Sequence, residues 1–299
     1  MHNIKLIWSN GKLIPFEDTR VSILSHSLHY GSAVFEGIRC YMTKEGPAIF
    51  RLKDHVNRLF HSASVMGMNV PYSKGELVEA VKLTVRENEL KECYIRPLFF
   101  YGEKMGLLPL DAPLNCVVIA WPWDKYFKKD SVSVKISSFE RISPRSAVMS
   151  AKVSGHYSNS IIASLEAKNA GYDEALLLDY KGNIAEGPGE NIFLFKGDTF
   201  YTPKEDSILS GITRDSVILF INNMGFKVEE KDIKPEDIES YDEAFFVGTA
   251  TEVNAIGKIE SHVFGEGKEG LKTKEVKDTY KAIVSGKIPM YKNWLEYIK

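Results

Sequence analysis

The chain has 299 residues, 44% of them hydrophobic and 26% charged, which suits a packed globular protein of one large domain or two medium ones. Its 38 basic residues nearly balance 40 acidic ones, for a net charge of −2. With no Lys/Arg-rich run, neither a polyanion nor a nucleic-acid partner is expected.

The N-terminal MHNIKLIWSNGKL lacks the apolar core of a signal peptide. The longest apolar run, 116–123, is far short of the ~20 residues that a membrane helix needs. Cys40, Cys93 and Cys116 are isolated and form no CxxC, so neither a disulfide scaffold nor a zinc knuckle is expected. These features predict a soluble protein of a reducing cytoplasm, with no membrane partner and no metal.

Along the chain, KLIWSNGKLIPF has apolar runs flanking Asn10-Gly11, a hairpin signal because both residues tolerate positive φ. PAIFRL (47–52) reads as a strand. Lys53 to Met66 carries Val56, Leu59, Phe60 and Ala63 at helical spacing. Ser73 and Glu76 form a capping box ahead of Leu77, Val78, Val81 and Val85. CYIRPLFF (93–100) and NCVVIAW (115–121) read as buried strands. Residues 1–122 are expected to form a first domain, 123–130 a linker, and 131–299 a second domain. The second opens with the strand SVSVKISSF (131–139). A helix over 160–170, antiparallel strands at 174–179 and 191–202, and a helix over 213–224 stopped by Gly225 follow. EAFFVGTA (243–250) reads as a final buried strand.

Three stretches carry candidate chemistry. Lys152 lies in AKVSGHYSNS, and from Arg141 through Leu165 there is no Asp or Glu. A lysine acts as a nucleophile only when deprotonated, and nearby carboxylates oppose that; a solvated loop lysine is the plain alternative. In NIAEGPGENIF (183–193), glycines let the chain turn and a flat ligand approach, and Glu186 could hold a ring nitrogen protonated. The alternative there is a hairpin turn with two exposed glutamates. In LSGITRDSV (209–217), a helix start offers backbone N–H groups and the Thr213 hydroxyl to a phosphate; simple capping by Ser210 or Thr213 is the alternative. FVGTATEV (246–253) offers a second such turn. No GxxxxGK[ST], GxGxxG, HExxH or GxSxG is present, and the seven histidines show no ligand spacing. His26 and His29 read as structural.

In this order, Lys152, Glu186, the GIT turn and the GTA turn resemble the fold type IV pyridoxal-phosphate enzymes, and among them the branched-chain amino acid aminotransferases of class IV. The resemblance runs from HSLHYGSAVFEGIRCY (26–41) through YIRPLFF, AWPWDKY, AKVSGHY and EGPGENIF to VGTATEV. It implies an α+β fold of two domains, a smaller N-terminal α/β domain and a larger C-terminal one of antiparallel or mixed strands with helices, with pyridoxal 5′-phosphate (PLP) bound between them.

By that resemblance, Lys152 matches the lysine that bonds to the cofactor aldehyde and then shuttles a proton. Glu186 matches the partner of the pyridine nitrogen, Tyr157 the neighbour of the ring hydroxyl, and Arg58 the phosphate-binding arginine. Leu209, Gly211, Ile212, Thr213, Gly248 and Thr249 would complete the cofactor's surroundings, with Glu190 and Asn191 buttressing the ring. The substrate pocket would draw on Phe35, Gly37, Tyr94 and Trp123, with Tyr30 arriving from a second subunit. Arg96 would accept the distal carboxylate of glutamate, and Thr249-Ala250 the α-carboxylate. The expected reaction moves an amino group between leucine, isoleucine or valine and 2-oxoglutarate. The partners are small amino acids and 2-oxo acids, and the assembly is a homodimer at least, with a homohexamer as the larger form. Ser210 stands where relatives often have proline, and the loop 102–113, which in relatives closes over the neighbouring subunit's site, is variable. D-amino acid transamination and an aminodeoxychorismate lyase are the competing activities; YIRP and VFEGIR disfavour the first, and Phe35, Tyr94 and Arg96 the second.

Overall fold

The structure, a computed structural model, describes residues 4–123 and 126–298. Asn10 and Gly11 take φ of 47° and 94°, joining β1 (Leu6–Ser9) and β2 (Lys12–Pro15) in antiparallel register. A short helix α1 (His26–Tyr30) follows, then β3 (Val34–Phe35), β4 (Ile38–Thr43) and β5 (Gly46–Phe50). Helix α2 (Leu52–Val65) starts within the stretch expected as strand, because Arg51 turns left-handed (φ 51°) and ends β5 at Phe50. Helix α3 (Lys74–Glu87) carries the complete capping box, with Ser73 and Glu76 each accepting the other's backbone N–H at 3.2 and 2.7 Å. Strands β6 (Cys93–Tyr101) and β7 (Leu114–Trp121) pair antiparallel.

These strands form one sheet in the order β5-β4-β6-β7-β1-β2, with β3 on β6 and the strand Leu295–Tyr297 outside β5. Val56, Leu59 and Ala63 of α2 and Leu77, Val81 and Val85 of α3 are buried in one core with Ile38, Ile49, Ile95 and Val118. Each fully buried Leu, Ile or Val contributes roughly 1.5–3 kcal/mol.

The second sheet contains β8 (Ser131–Ile136), then, after helix α4 (Tyr157–Asn169), β9 (Glu174–Leu178), β10 (Ile184–Glu186), β11 (Asn191–Lys196) and β12 (Thr199–Thr202). Beyond helix α5 (Ile212–Asn223) come β13 (Lys227–Glu230), β14 (Glu243–Gly248) and β15 (Glu252–Ile259). The path β10-β9-β8-β15-β14-β11 closes on itself because β10 also pairs with β11. The sheet is mixed: β8 runs parallel to both β15 and β9. β14, expected to be last, is followed by β15, whose EVNAIGKI is almost wholly buried. A strand buried on both faces loses the alternation that marks strands in a sequence.

Contacts divide the chain into two compact units: Met1–Asp124 with Ala151–His156 and Ala282–Lys299, and Lys125–Ser150 with Tyr157–Lys281. They are of nearly equal length, where a smaller and a larger were expected. The expected second domain ran unbroken from 131 to 299, but two of its segments group with the first unit. Ala151 and Val153 are buried in the first core, Val153 bridges Val34, and the Ser154 N–H donates to Ala33 O at 2.8 Å. The strand Leu295–Tyr297 extends the first sheet. Residues 124 and 125 of the expected linker lie outside the described residues. Among the described residues no helix is long and apolar enough to cross a membrane.

Candidate active site

In the first unit, Lys152 is fixed by its backbone. Its N–H donates to Ser62 Oγ at 2.8 Å and its carbonyl accepts from the Phe35 N–H at 3.2 Å. A little further on, the chain passes Gly31 so closely that a Cβ on Gly31 would lie 2.7 Å from Gly155 Cα; only glycine fits there. The half-buried Lys152 side chain carries Nζ 5.1 Å from the centre of the Phe35 ring.

Arg58 projects from α2 and forms a two-pronged ion pair with Glu36, Nε to Oε1 at 2.6 Å and Nη2 to Oε2 at 2.9 Å. His55, one turn earlier, places Nδ1 2.7 Å from Glu36 Oε2. Burial alone would raise the Glu36 carboxyl, but Arg58 and His55 outweigh it and hold it well below the ordinary carboxylate range. Burial pushes the His55 imidazole down against the pull of Glu36, and the charges of Arg58 and Lys152 push the same way. A neutral His55 donating through Nδ1–H to an ionised Glu36 satisfies both directions. Glu36 and His55 were not singled out from the sequence. A carboxylate inside the apolar run VFEGI was the available signal, since a buried charge requires a partner.

The expected substrate residues of this unit, Phe35 on β3, Tyr94 and Arg96 on β6, Gly37 after β3 and Trp123 after β7, come together. Tyr94 and Arg96 share one face of β6, and Arg96 Nη2 donates to the Tyr94 hydroxyl at 2.9 Å. The Arg96 guanidinium lies 4.5 Å from the Phe35 ring centre and 5.2 Å from that of Tyr94. The Trp123 ring sits 4.8 Å from that of Tyr94. A Cβ on Gly37 would reach 2.0 Å from the Tyr94 hydroxyl, so a side chain there would displace the tyrosine. Arg96 Nε and Trp123 Nε1 are buried without a hydrogen-bond acceptor among the described residues. Tyr30, at the end of α1, is exposed and packs against His26 with ring centres 4.5 Å apart.

In the second unit, buried Glu186 ends β10. Its Oε1 accepts from Arg141 Nε at 2.6 Å, and its Oε2 from Asn191 Nδ2 and the Leu209 N–H, each at 3.1 Å. All three partners donate, which is what a carboxylate accepts. The exposed-turn alternative for Glu186 and Glu190 is therefore not what the chain adopts; both are buried. Asn191, first in β11, also donates to the Leu209 carbonyl at 3.1 Å. Arg141 was missed in the sequence because its partner lies 45 positions away. Its Nη1 is buried with no acceptor among the described residues.

Gly211 is the N-cap of α5 and has no side chain with which to cap it. Ser210 Oγ, just before it, donates to Glu205 Oε2 at 2.9 Å. A Cβ on Gly211 would lie 1.9 Å from Asn191 Oδ1. Ile212 and Thr213 open α5 and are buried. Gly248 ends β14, Thr249 and Ala250 form the turn behind it, and Tyr157 begins α4.

Glu190 accepts from the Gly189 N–H at 3.0 Å and the Thr251 hydroxyl at 3.2 Å. Burial first, then the Glu174 and Glu186 carboxylates, push its carboxyl from 4.5 up to about 8. The stability that protonated Glu190 contributes is full below about 4.5 and is lost as pH rises through about 8. The urea midpoint should therefore fall between about pH 5 and 9, and Glu190→Gln should flatten that slope; an unchanged slope would rule this out.

The sequence pattern of the family described as Amino-transferase class IV matches residues 33–259. The chain belongs to the class IV aminotransferases. It is 42% identical to a branched-chain-amino-acid aminotransferase of Pseudomonas aeruginosa, covering 98% of this chain and 97% of the other. With the enzyme of the same name from Escherichia coli K12 it shares 36% identity over the same proportions. Among solved structures, the branched-chain aminotransferase of the thermophilic archaeon Thermoproteus uzoniensis with norvaline superposes with a TM-score of 0.94, at 40% identity, covering 98% of this chain and 99% of that one. The residues expected at the site of this aminotransferase from Phe35 to Ala250 fall within the matched span; Tyr30 lies three residues before it.

Proposed function

We propose that this class IV aminotransferase binds PLP and transfers the amino group of leucine, isoleucine or valine to 2-oxoglutarate. The observation that carries the substrate choice is the Arg96 guanidinium seated between Phe35 and Tyr94 beside Trp123. One pocket must accept an apolar side chain in one half-reaction and a carboxylate in the other. Aromatic walls suit the first, and a guanidinium with a buried Nε lacking an acceptor suits the second.

The residues fit the cofactor. The start of α5, with Gly211 as its close-packed N-cap followed by Ile212 and Thr213, suits a phosphate, and the family resemblance gives Arg58 as the cation for that group. Gly248 and Thr249 add a second turn. Glu186, held by Arg141, Asn191 and the Leu209 N–H, suits a protonated ring nitrogen; the resemblance places Glu190 beside the ring and gives Tyr157 to the ring hydroxyl. Bound PLP supplies an electron sink for the pair left when the Cα–H bond breaks. Lys152 would hold the cofactor through its side-chain amine and, once the substrate's amine had taken its place, would serve as the base that takes the Cα proton and the acid that gives it back. Glu186 keeps the ring nitrogen's proton in place. Arg96 holds the distal carboxylate of glutamate, and Thr249-Ala250 the α-carboxylate.

The working form is a homodimer at least, in which Tyr30 serves the partner's pocket; the exposed apolar surface around it supports this reading. The homohexamer stays open as the larger form. Three cysteines, all free and buried, suit the reducing cytoplasm. The test is a substrate panel. The purified protein should form glutamate from L-leucine and 2-oxoglutarate; turnover of D-alanine alone, or pyruvate release from aminodeoxychorismate, would overturn the assignment.

A further inference from the structure

Cys40 and Cys93 stand directly opposite each other in the antiparallel pair of β4 and β6. Both are fully buried, in the same core as the apolar faces of α2 and α3. Their sulfurs are in contact: the two thiols are hydrogen-bonded, and Cys40 Sγ also donates to the Lys91 carbonyl at 3.6 Å. A carbonyl can only accept, so the Cys40 hydrogen goes to Lys91 and the Cys93 S–H is the one directed at the Cys40 sulfur. Opposed residues of an antiparallel pair have Cα atoms about 4.5–5.5 Å apart, and a disulfide joins Cα atoms about 4.4–6.8 Å apart. The backbone therefore already stands where a bond between the two sulfurs requires it. The third cysteine, Cys116, lies opposite Phe99, six residues along β6 from Cys93. That is roughly 20 Å of strand, far outside the reach of a disulfide.

While the strands are paired, the thiols are protected. The contact with Cys40 first, and then burial, push the Cys93 thiol up against the pull of the Arg39 guanidinium, so little of the reactive thiolate is present. Cys93 is nevertheless the first residue of β6, and Lys91 and Glu92 just before it are exposed. A strand end opens locally at lower cost than a strand interior. Opening there releases the Cys93 thiol to solvent with its partner close by.

We propose that Cys40 and Cys93 are a modification site: a small-molecule disulfide of the glutathione type converts them into a cross-strand disulfide that staples β4 to β6. One protein thiolate attacks the small disulfide, forming a mixed disulfide and releasing one small thiol. The second protein thiolate then attacks the protein sulfur of that mixed bond and displaces the other small thiol. Two protein thiols are oxidised and one small disulfide is reduced to two thiols, which take up the two protons. The staple closes a loop of roughly 50 residues that holds β5, α2 and α3, so it restricts the unfolded chain far more than the folded one. Side chains alternate along a strand, so Tyr94 and Arg96 project from the other face of β6 and keep their places.

The test uses the full-length, PLP-loaded protein incubated with oxidised glutathione. The thiols titrated after denaturation should fall from three to one, and peptide mapping should find Cys40 joined to Cys93. The urea midpoint of the oxidised protein should rise by about 1 M, the scale of closing a loop of this length, and should return with dithiothreitol. Cys116→Ala should form the same bond and show the same rise. Cys93→Ala should form no bond and show no rise. Should that variant fail to fold, the wild-type measurements decide by themselves. Three titratable thiols after prolonged oxidation, including in dilute urea that opens strand ends, would overturn the proposal. So would glutathione retained as a mixed disulfide, a bond that involves Cys116, or a Cys40–Cys93 bond that leaves the midpoint unchanged. None of these readouts depends on the reaction assigned above.

Discussion

Lys152→Ala should lower leucine–2-oxoglutarate transamination at least about 10³-fold, the scale of losing a nucleophile and a general base together. Borohydride treatment of the wild-type enzyme with PLP should fix the cofactor's mass to the peptide containing Lys152, and the variant should take up none. The effect is expected to be chemical, because the position of the segment does not depend on the lysine side chain. Its backbone bonds to Ser62 and Phe35, and its neighbours Ala151 and Val153 are in the core. The variant should therefore fold normally, with a far-ultraviolet dichroism spectrum like the wild type's. Activity within tenfold of wild type, or the cofactor's mass on another lysine, would refute the assignment.

The second large effect concerns Glu36. Glu36→Ala leaves two Arg58 donors and His55 Nδ1 facing a cavity, and removing one partner of a buried pair costs about 3–5 kcal/mol. The urea midpoint should drop accordingly at about pH 7. The pH dependence carries the second signature. Glu36 sits below its ordinary 4.5, so the stability it contributes is present above about 4.5 and is lost progressively as pH falls below that value. In the variant this acid limb of the stability curve should shrink. An unchanged midpoint at neutral pH would show that the ion pair contributes nothing.

What the sequence made legible was local. Asn10-Gly11, the Ser73–Glu76 box and the periodicity of α2 each act within a few residues, and each forms. The ordered set of Lys152, Glu186, Gly211–Thr213 and Gly248–Thr249 stood out as short turns at element ends, and the family resemblance supplied the chemistry expected of it. The partners of these residues were not readable. Glu36 finds His55 and Arg58 at 19 and 22 positions, and Arg141 finds Glu186 at 45. Such pairs follow from sheet order and leave no local pattern. The assignment of 151–156 to the first unit was hidden likewise, since its ties, to Val34, Ala33, Ser62 and Gly31, are to residues some 90 or more positions away.

The three-piece make-up of that first unit bears on how the protein is synthesised. β5 ends at Phe50, but the strand that covers its edge begins at Leu295. At about 5–20 residues per second, a ribosome takes roughly 10–50 s to travel between them. For that interval the nascent sheet has an open edge, the kind that recruits stray strands. The strand Leu295–Tyr297 thus acts as a late seal on that edge, and termination just before Leu295 would leave a product with every proposed active-site residue but an unsealed sheet.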